Sequence, residues 1–134
     1  MISNETFDVA VIGAGVFGAW TAHHLSRVGA TVLLIDAYGP GNSRASSGGE
    51  SRMIRMGYGP DEIYTRMSQR SLASWQELFN RVSLPHLFQP TGILWLAHEV
   101  DSYCVAIKET LKRCNVQFEL LDHSELRQRY PQLQ

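Results

Sequence analysis

The sequence predicts an α/β protein that opens on a parallel βαβ unit and runs on into the start of an α+β region. Three observations predict it. An apolar run at residues 7–12 ends in glycines, a helical pattern follows, and a second apolar run at residues 31–35 closes on an acid. Two strands separated by a helix of about a dozen residues return as parallel neighbours, because a parallel return needs a crossover.

The first strand, Phe7-Asp8-Val9-Ala10-Val11-Ile12, is mostly β-branched or aromatic, as a buried strand requires. Gly13 to Gly18 interrupt it. Trp20, His24, Leu25 and Val28 then recur at helical spacing until Gly29 ends the helix. Thr31-Val32-Leu33-Leu34-Ile35 forms the second strand, closed by Asp36. From Tyr38 to Gly59 the chain is rich in Gly, Ser, Arg and Pro, with neither period sustained. Connections beyond about 12–15 residues without structure of their own are uncommon unless functional or disordered. Met53, Ile54, Met56 and Tyr58 supply apolar anchors, so this segment reads as an ordered functional loop.

Pro60-Asp61-Glu62 opens the next helix, with proline in the first turn and acids at the positive end of the macrodipole. Ile63, Met67, Leu72, Trp75, Leu78 and Phe79 form its apolar stripe, which ends near Arg81. Gly92-Ile93-Leu94-Trp95-Leu96-Ala97 reads as a strand after the turn signal Pro90-Thr91-Gly92. Residues 99–113 read as a helix with Val100, Cys104, Ile107 and Leu111 on one face. Residues 116–121 read as a short strand, and Ser124-Glu125-Leu126 starts a helix that Pro131 stops. The expected division is residues 1–82 for the first domain and 83–134 for the opening of a second. The fold is expected to be incomplete. Only two parallel strands are visible in the first half, and Tyr130-Pro131-Gln132-Leu133-Gln134 is no natural end for a sheet, so the sequence reads as the N-terminal part of a longer protein.

Composition narrows the function classes. Hydrophobic residues are 44% and charged residues 19% of 134, which excludes a disordered or fibrous chain. A net charge of -1 excludes a strongly polybasic surface, so neither nucleic acid nor membrane is an expected partner. No apolar run reaches the roughly 18 residues that span a bilayer, and residues 1–12 lack the basic start of a signal peptide. Cys104 and Cys114 make no disulfide framework; a reducing cytoplasm is the expected setting. The five histidines are scattered without metal-ligand company, and no metal is expected. Only Lys108 and Lys112 are lysines; the other basic residues are arginines, whose planar fork suits carboxylate and phosphate.

Gly13-Ala14-Gly15-Val16-Phe17-Gly18 matches G-x-G-x-x-G at the junction of strand and helix. Gly13 permits the tight turn, Gly15 lets a pyrophosphate reach the backbone, and Gly18 lets helix and strand pack closely. The helix N-terminus offers free N–H donors and a partial positive charge. Asp36 stands 18 residues after Gly18, where an acid accepts hydrogen bonds from a ribose diol and opposes a 2′-phosphate. This is a Rossmann-type opening for an adenine dinucleotide, and it leaves NAD and FAD both open.

The loop carries Arg44-Ala45-Ser46-Ser47-Gly48-Gly49-Glu50-Ser51-Arg52-Met53-Ile54-Arg55. Arg52 and Arg55 project to similar sides if the segment is a helical turn and diverge if it is extended. Such cations could hold a substrate carboxylate, stabilise charge on a reduced cofactor ring, or simply pair with Glu50 or Asp61 at the surface. Tyr58 could line a pocket or pack beneath the loop.

The residues at 7–18, Leu33-Leu34-Ile35-Asp36, Ser46 to Arg55, Tyr58-Gly59 and Thr91 to Leu96 together resemble the monomeric sarcosine oxidase group. That group includes pipecolate oxidase and N-methyltryptophan oxidase, within the D-amino-acid-oxidase-like flavoproteins. The resemblance runs over essentially the whole chain, and Ser51-Arg52-Met53-Ile54-Arg55 is more specific than the glycine motif. It implies FAD as cofactor and oxidation of a C–N single bond of an amino acid or secondary amine, giving an imine that hydrolyses and, with oxygen, hydrogen peroxide. It implies that residues 83–134 begin a substrate domain. Arg52 would lie against the flavin and Arg55 would bind the substrate carboxylate. Gly13, Gly15, Val16, Phe17, Gly18, Asp36, Ala37, Ser46 and Ser47 would hold the cofactor with Arg52. Gly48 stands where relatives commonly carry a histidine. The family's flavin-linking cysteine and its substrate-side lysine fall beyond residue 134, and these 134 residues alone are expected to be inactive. The alternatives are an NAD-dependent dehydrogenase with the same opening and a non-catalytic fragment.

Overall fold

The computed structural model describes residues 5–98 and 101–133. In chain order its elements are β1 (Val9–Ile12), α1 (Val16–Arg27), β2 (Val32–Ile35), α2 (Glu62–Arg81), a single 3₁₀ turn at Pro85–Leu87, α3 (Ser102–Arg113) and α4 (His123–Arg129). The chain divides into two compact units, residues 1–53 and 54–134. This break lies inside the arginine loop, and α2 packs with α3 within the second unit.

The first unit is the expected βαβ turn. β1 and β2 pair in parallel, with Val9 opposite Val32 and Ile12 opposite Ile35. Register is fixed at both ends. At the entry, the Asp8 carboxylate accepts hydrogen bonds from the Thr31 hydroxyl at 2.6 Å and the Thr31 N–H at 2.8 Å. At the exit, the Gly13 N–H donates to the Ile35 carbonyl at 2.7 Å. α1 packs on both strands and stops at Arg27, with Gly29 at φ +92° supplying the left-handed exit.

In the second unit α2 and α3 enclose the buried residues Thr65, Ile107, Thr110 and Cys114. The Gln69 side chain donates to the Cys114 carbonyl at 3.0 Å, and Glu62 bridges Arg66 on its own helix and Arg113 on α3. Asp101 caps α3 through the Cys104 N–H. Asp122 and Glu125 cap α4 reciprocally. Val100, expected on the α3 stripe, lies outside the described residues. Ile63 and Met67, expected on the buried stripe of α2, are exposed.

Two expected strands are absent. Residues 92–97 and 116–121 form no ladder, and the only sheet among the described residues is β1–β2. A strand exists only where another strand takes up its N–H and C=O groups, and apolar alternation alone does not supply that partner.

Candidate functional site

The glycine turn is built by three different constraints. Gly13 has φ +100°, a region that side chains rarely enter. Gly18 adopts an ordinary backbone, yet a Cβ there would stand 1.8 Å from the Gly13 carbonyl oxygen. Gly15 is different: its φ is -66°, and a Cβ built on it meets nothing within 4 Å. Neither conformation nor internal packing requires glycine at that position. Open space above bare backbone is what an approaching diphosphate uses. Gly15 is also the N-cap of α1, no side chain caps the helix, and no acid sits in its first turn. The N–H groups of the turn that includes Val16 and Phe17 therefore face outward with a partial positive charge.

Asp36 closes this turn. One carboxylate oxygen accepts the Ala14 N–H at 2.7 Å and the other accepts the Tyr38 N–H at 2.8 Å, on either side of Ala37. The two backbone donors, Ala14 foremost, hold its carboxyl below the usual carboxylate range. Each oxygen keeps lone-pair capacity for a diol hydroxyl. The acid thus ties β2 to the glycine turn, a role that spacing alone did not reveal. These residues fit an adenine dinucleotide.

The arginine loop resolves into two clusters, one in each unit. In the first unit Asn42 and Ala45 carbonyls accept the turns at Ala45 and Gly48, and the Arg44 guanidinium lies 4.3 Å over the Tyr38 ring while donating to its hydroxyl. Arg52 donates from Nε to the Ser47 carbonyl at 3.0 Å and from Nη2 to the Ser46 carbonyl at 3.1 Å. It packs against Gly49, where a Cβ would lie 3.3 Å from the guanidinium. Ser46, Ser47 and Arg52 are therefore brought together.

Arg55 belongs to the second unit. Residues 51–58 form no helical turn. The Arg55 guanidinium carbon stands 5.2 Å from the Tyr58 ring centroid and 5.9 Å from that of Trp95. Among the described residues it makes no hydrogen bond or ion pair, so the surface pairing with Glu50 or Asp61 is not what holds either arginine. Its backbone neighbourhood is firmly seated. The Met56 carbonyl accepts the hydroxyl of fully buried Thr65 at 2.8 Å, Gly57 lies against Ile107, and Gly59 lies under the Tyr103 ring. Sequence reasoning placed Trp95 in an expected strand and gave neither Trp95 nor Tyr103 a role in the site. Trp95 is forty residues from Arg55, and no local pattern joins them.

Comparison with known proteins follows the same residues. The sequence profile of the family described as "FAD dependent oxidoreductase" matches residues 8–134. The chain belongs to that family. Its cofactor is FAD, which decides between the two dinucleotides that the glycine turn left open. Mouse peroxisomal sarcosine oxidase is 35% identical over 129 residues, covering 96% of this chain and 33% of that protein. Monomeric sarcosine oxidase from a Bacillus species is 33% identical, covering 93% of this chain and 32% of its own length. N-methyl-L-tryptophan oxidase of Salmonella newport is 29% identical, covering 95% and 34%. This FAD-dependent oxidoreductase sequence spans about a third of the length of the curated relatives it matches. No helix among the described residues is long and apolar enough to cross a membrane.

Proposed function

We propose that this sequence is the cofactor-binding N-terminal portion of a flavoprotein oxidase that oxidises the C–N bond of an amino acid or secondary amine, with oxygen as acceptor and hydrogen peroxide as product. One observation carries the substrate reading: the Arg55 guanidinium is flanked by two aromatic faces while its N–H fork engages no acceptor among the described residues. A fork of this kind matches a carboxylate with two parallel hydrogen bonds. The relatives, sarcosine oxidase and N-methyl-L-tryptophan oxidase, agree by name with an amine that carries a carboxylate.

Bound FAD supplies the two-electron acceptor. Gly13, Gly15 and Gly18, with Val16 and Phe17 between them, would hold its diphosphate, and Asp36 beside Ala37 would hold its ribose. Ser46 and Ser47 would meet the cofactor through backbone and hydroxyl groups. Arg52, fixed by those two carbonyls, would place a permanent positive charge beside the electron-rich reduced ring. Arg55 would orient the amino acid by its carboxylate and keep the C–N bond in one place. The division at 82/83 is proposed for the domains of the complete protein, and the cytoplasm as its location, while two relatives carry peroxisomal names.

Arg55→Met in the complete, FAD-loaded protein tests the reading. The KM for a carboxylate-bearing amine should rise about a hundredfold, the loss expected for a charged bidentate pair of roughly 3 kcal/mol, with FAD content unchanged. An unchanged KM across carboxylate-bearing substrates removes Arg55 from the pocket.

A further inference from the structure

Arg55 has a clear orientation but no polar partner among the described residues, and the question is what sets that orientation. Resting on the reading above, we propose that Trp95 is a positioning residue: its indole face fixes the Arg55 guanidinium so that the N–H fork is presented to the substrate carboxylate.

The rings form a connected series within the second unit. Trp95 stands 5.9 Å from the guanidinium carbon and 6.0 Å from the Tyr103 ring, at 41°. Tyr103 and Cys104 open α3, whose first turn is held by the Asp101 cap. Tyr103 in turn packs on Gly59, where a Cβ would stand 2.4 Å from its ring and where φ is +63°. Tyr58, the other face against Arg55, stands 5.9 Å from Tyr64 on α2. Both faces are thus braced by helices, and a guanidinium attracted to both keeps its in-plane N–H groups free. A planar cation held in this way loses little freedom when a carboxylate arrives.

The test uses the complete, FAD-loaded protein and two readouts. One is the dissociation constant of acetate, followed by the change in flavin absorbance. The other is the ratio of KM values for N-methylglycine and for a simple secondary amine without a carboxylate. Trp95→Leu should weaken acetate about threefold to tenfold, the range expected for loss of a partly exposed cation–π contact. It should raise KM for the carboxylate substrate by the same factor, with kcat and the plain amine unaffected. Trp95→Phe keeps a weaker face and should fall between. If Trp95→Leu does not fold, Trp95→Phe is read in the same way, and acetate affinity equal to the parent overturns the proposal. A loss shared equally by both amines marks a merely structural role and overturns it too. If Arg55→Met weakens acetate while the Trp95 variants do not, the positioning role fails and the carboxylate reading stands. If Arg55→Met leaves acetate unaffected, the carboxylate reading itself fails.

Discussion

Gly18 has no room for a methyl group. Its Cβ would lie 1.8 Å from a backbone oxygen, which cannot swing aside as a side chain can. Gly18→Ala should therefore separate α1 from β1, cost about 3 kcal/mol or more, and leave the purified protein without its yellow flavin absorbance. Gly15→Ala makes the contrast. Its Cβ meets nothing in the protein, so folding should be nearly unchanged and FAD content should fall, by the same absorbance measurement. Asp36 carries a pH dependence. Its folded carboxyl lies below the ordinary value because of the Ala14 and Tyr38 N–H groups. Its contribution is then fully present above the unfolded carboxylate pKa of about 3.9 and is lost as pH falls through the lower folded value. Asp36→Asn should flatten that acid limb in thermal melts taken between pH 5 and pH 2. Asp8, Glu62 and Asp122 are lowered as well and will leave part of the slope. The glycine turn was legible in the sequence because each of its needs is met within thirty residues and each glycine answers one need. The bond from Asp36 to Ala14 was not, since an acid at a strand end reads alike whether it faces a ligand or closes a turn.

Among elements, α2 does more than flank the site. Thr65 is fully buried and its hydroxyl donates to the carbonyl of Met56, the residue next to Arg55. Thr65→Val keeps the size and removes the donor, leaving the Met56 carbonyl without its partner in a half-buried place. The expected cost is about 1–3 kcal/mol, read in urea or thermal unfolding, while Thr65→Ser should keep the hydrogen bond and lose only a methyl group. If Thr65→Val and Thr65→Ser cost the same, the hydroxyl is not what seats the segment. The helices were legible from stripe and cap: α2 begins at Glu62 beside Pro60-Asp61, and α4 stops before Pro131. The segments at 92–97 and 116–121 were misread for a physical reason. Apolar alternation reports that a face wants cover, and strand pairing depends on a partner that is distant in sequence. Trp95 shows the consequence: within its segment it pairs with no strand and instead braces a cation forty residues away.

At the scale of the molecule, the described residues leave much apolar surface open. In the first unit Ile12 is 84% exposed, and Leu33, Leu34 and Ile35 of β2 are exposed beside it. A parallel sheet buries its strands on both faces, and α1 packs on the strands from one side only. In the second unit Ile93, Leu94, Leu96 and Leu120 are exposed, and the buried hydrophobic residues among those described are Ile107 and Cys114. Apolar faces of this extent are what a covering layer closes. The 134-residue chain by itself should therefore bind a hydrophobic dye such as ANS strongly and melt over a broad range without one cooperative step. It should produce no peroxide from N-methylglycine, because a carboxylate held by Arg55 reacts only where the rest of a pocket holds the amine against the cofactor. The complete protein should melt sharply, exclude the dye and turn over. Peroxide release by the 134 residues alone, supplied with FAD and N-methylglycine, would contradict the need for that covering layer, and a sharp dye-free melt of the same chain would show that its two units bury their faces without further help.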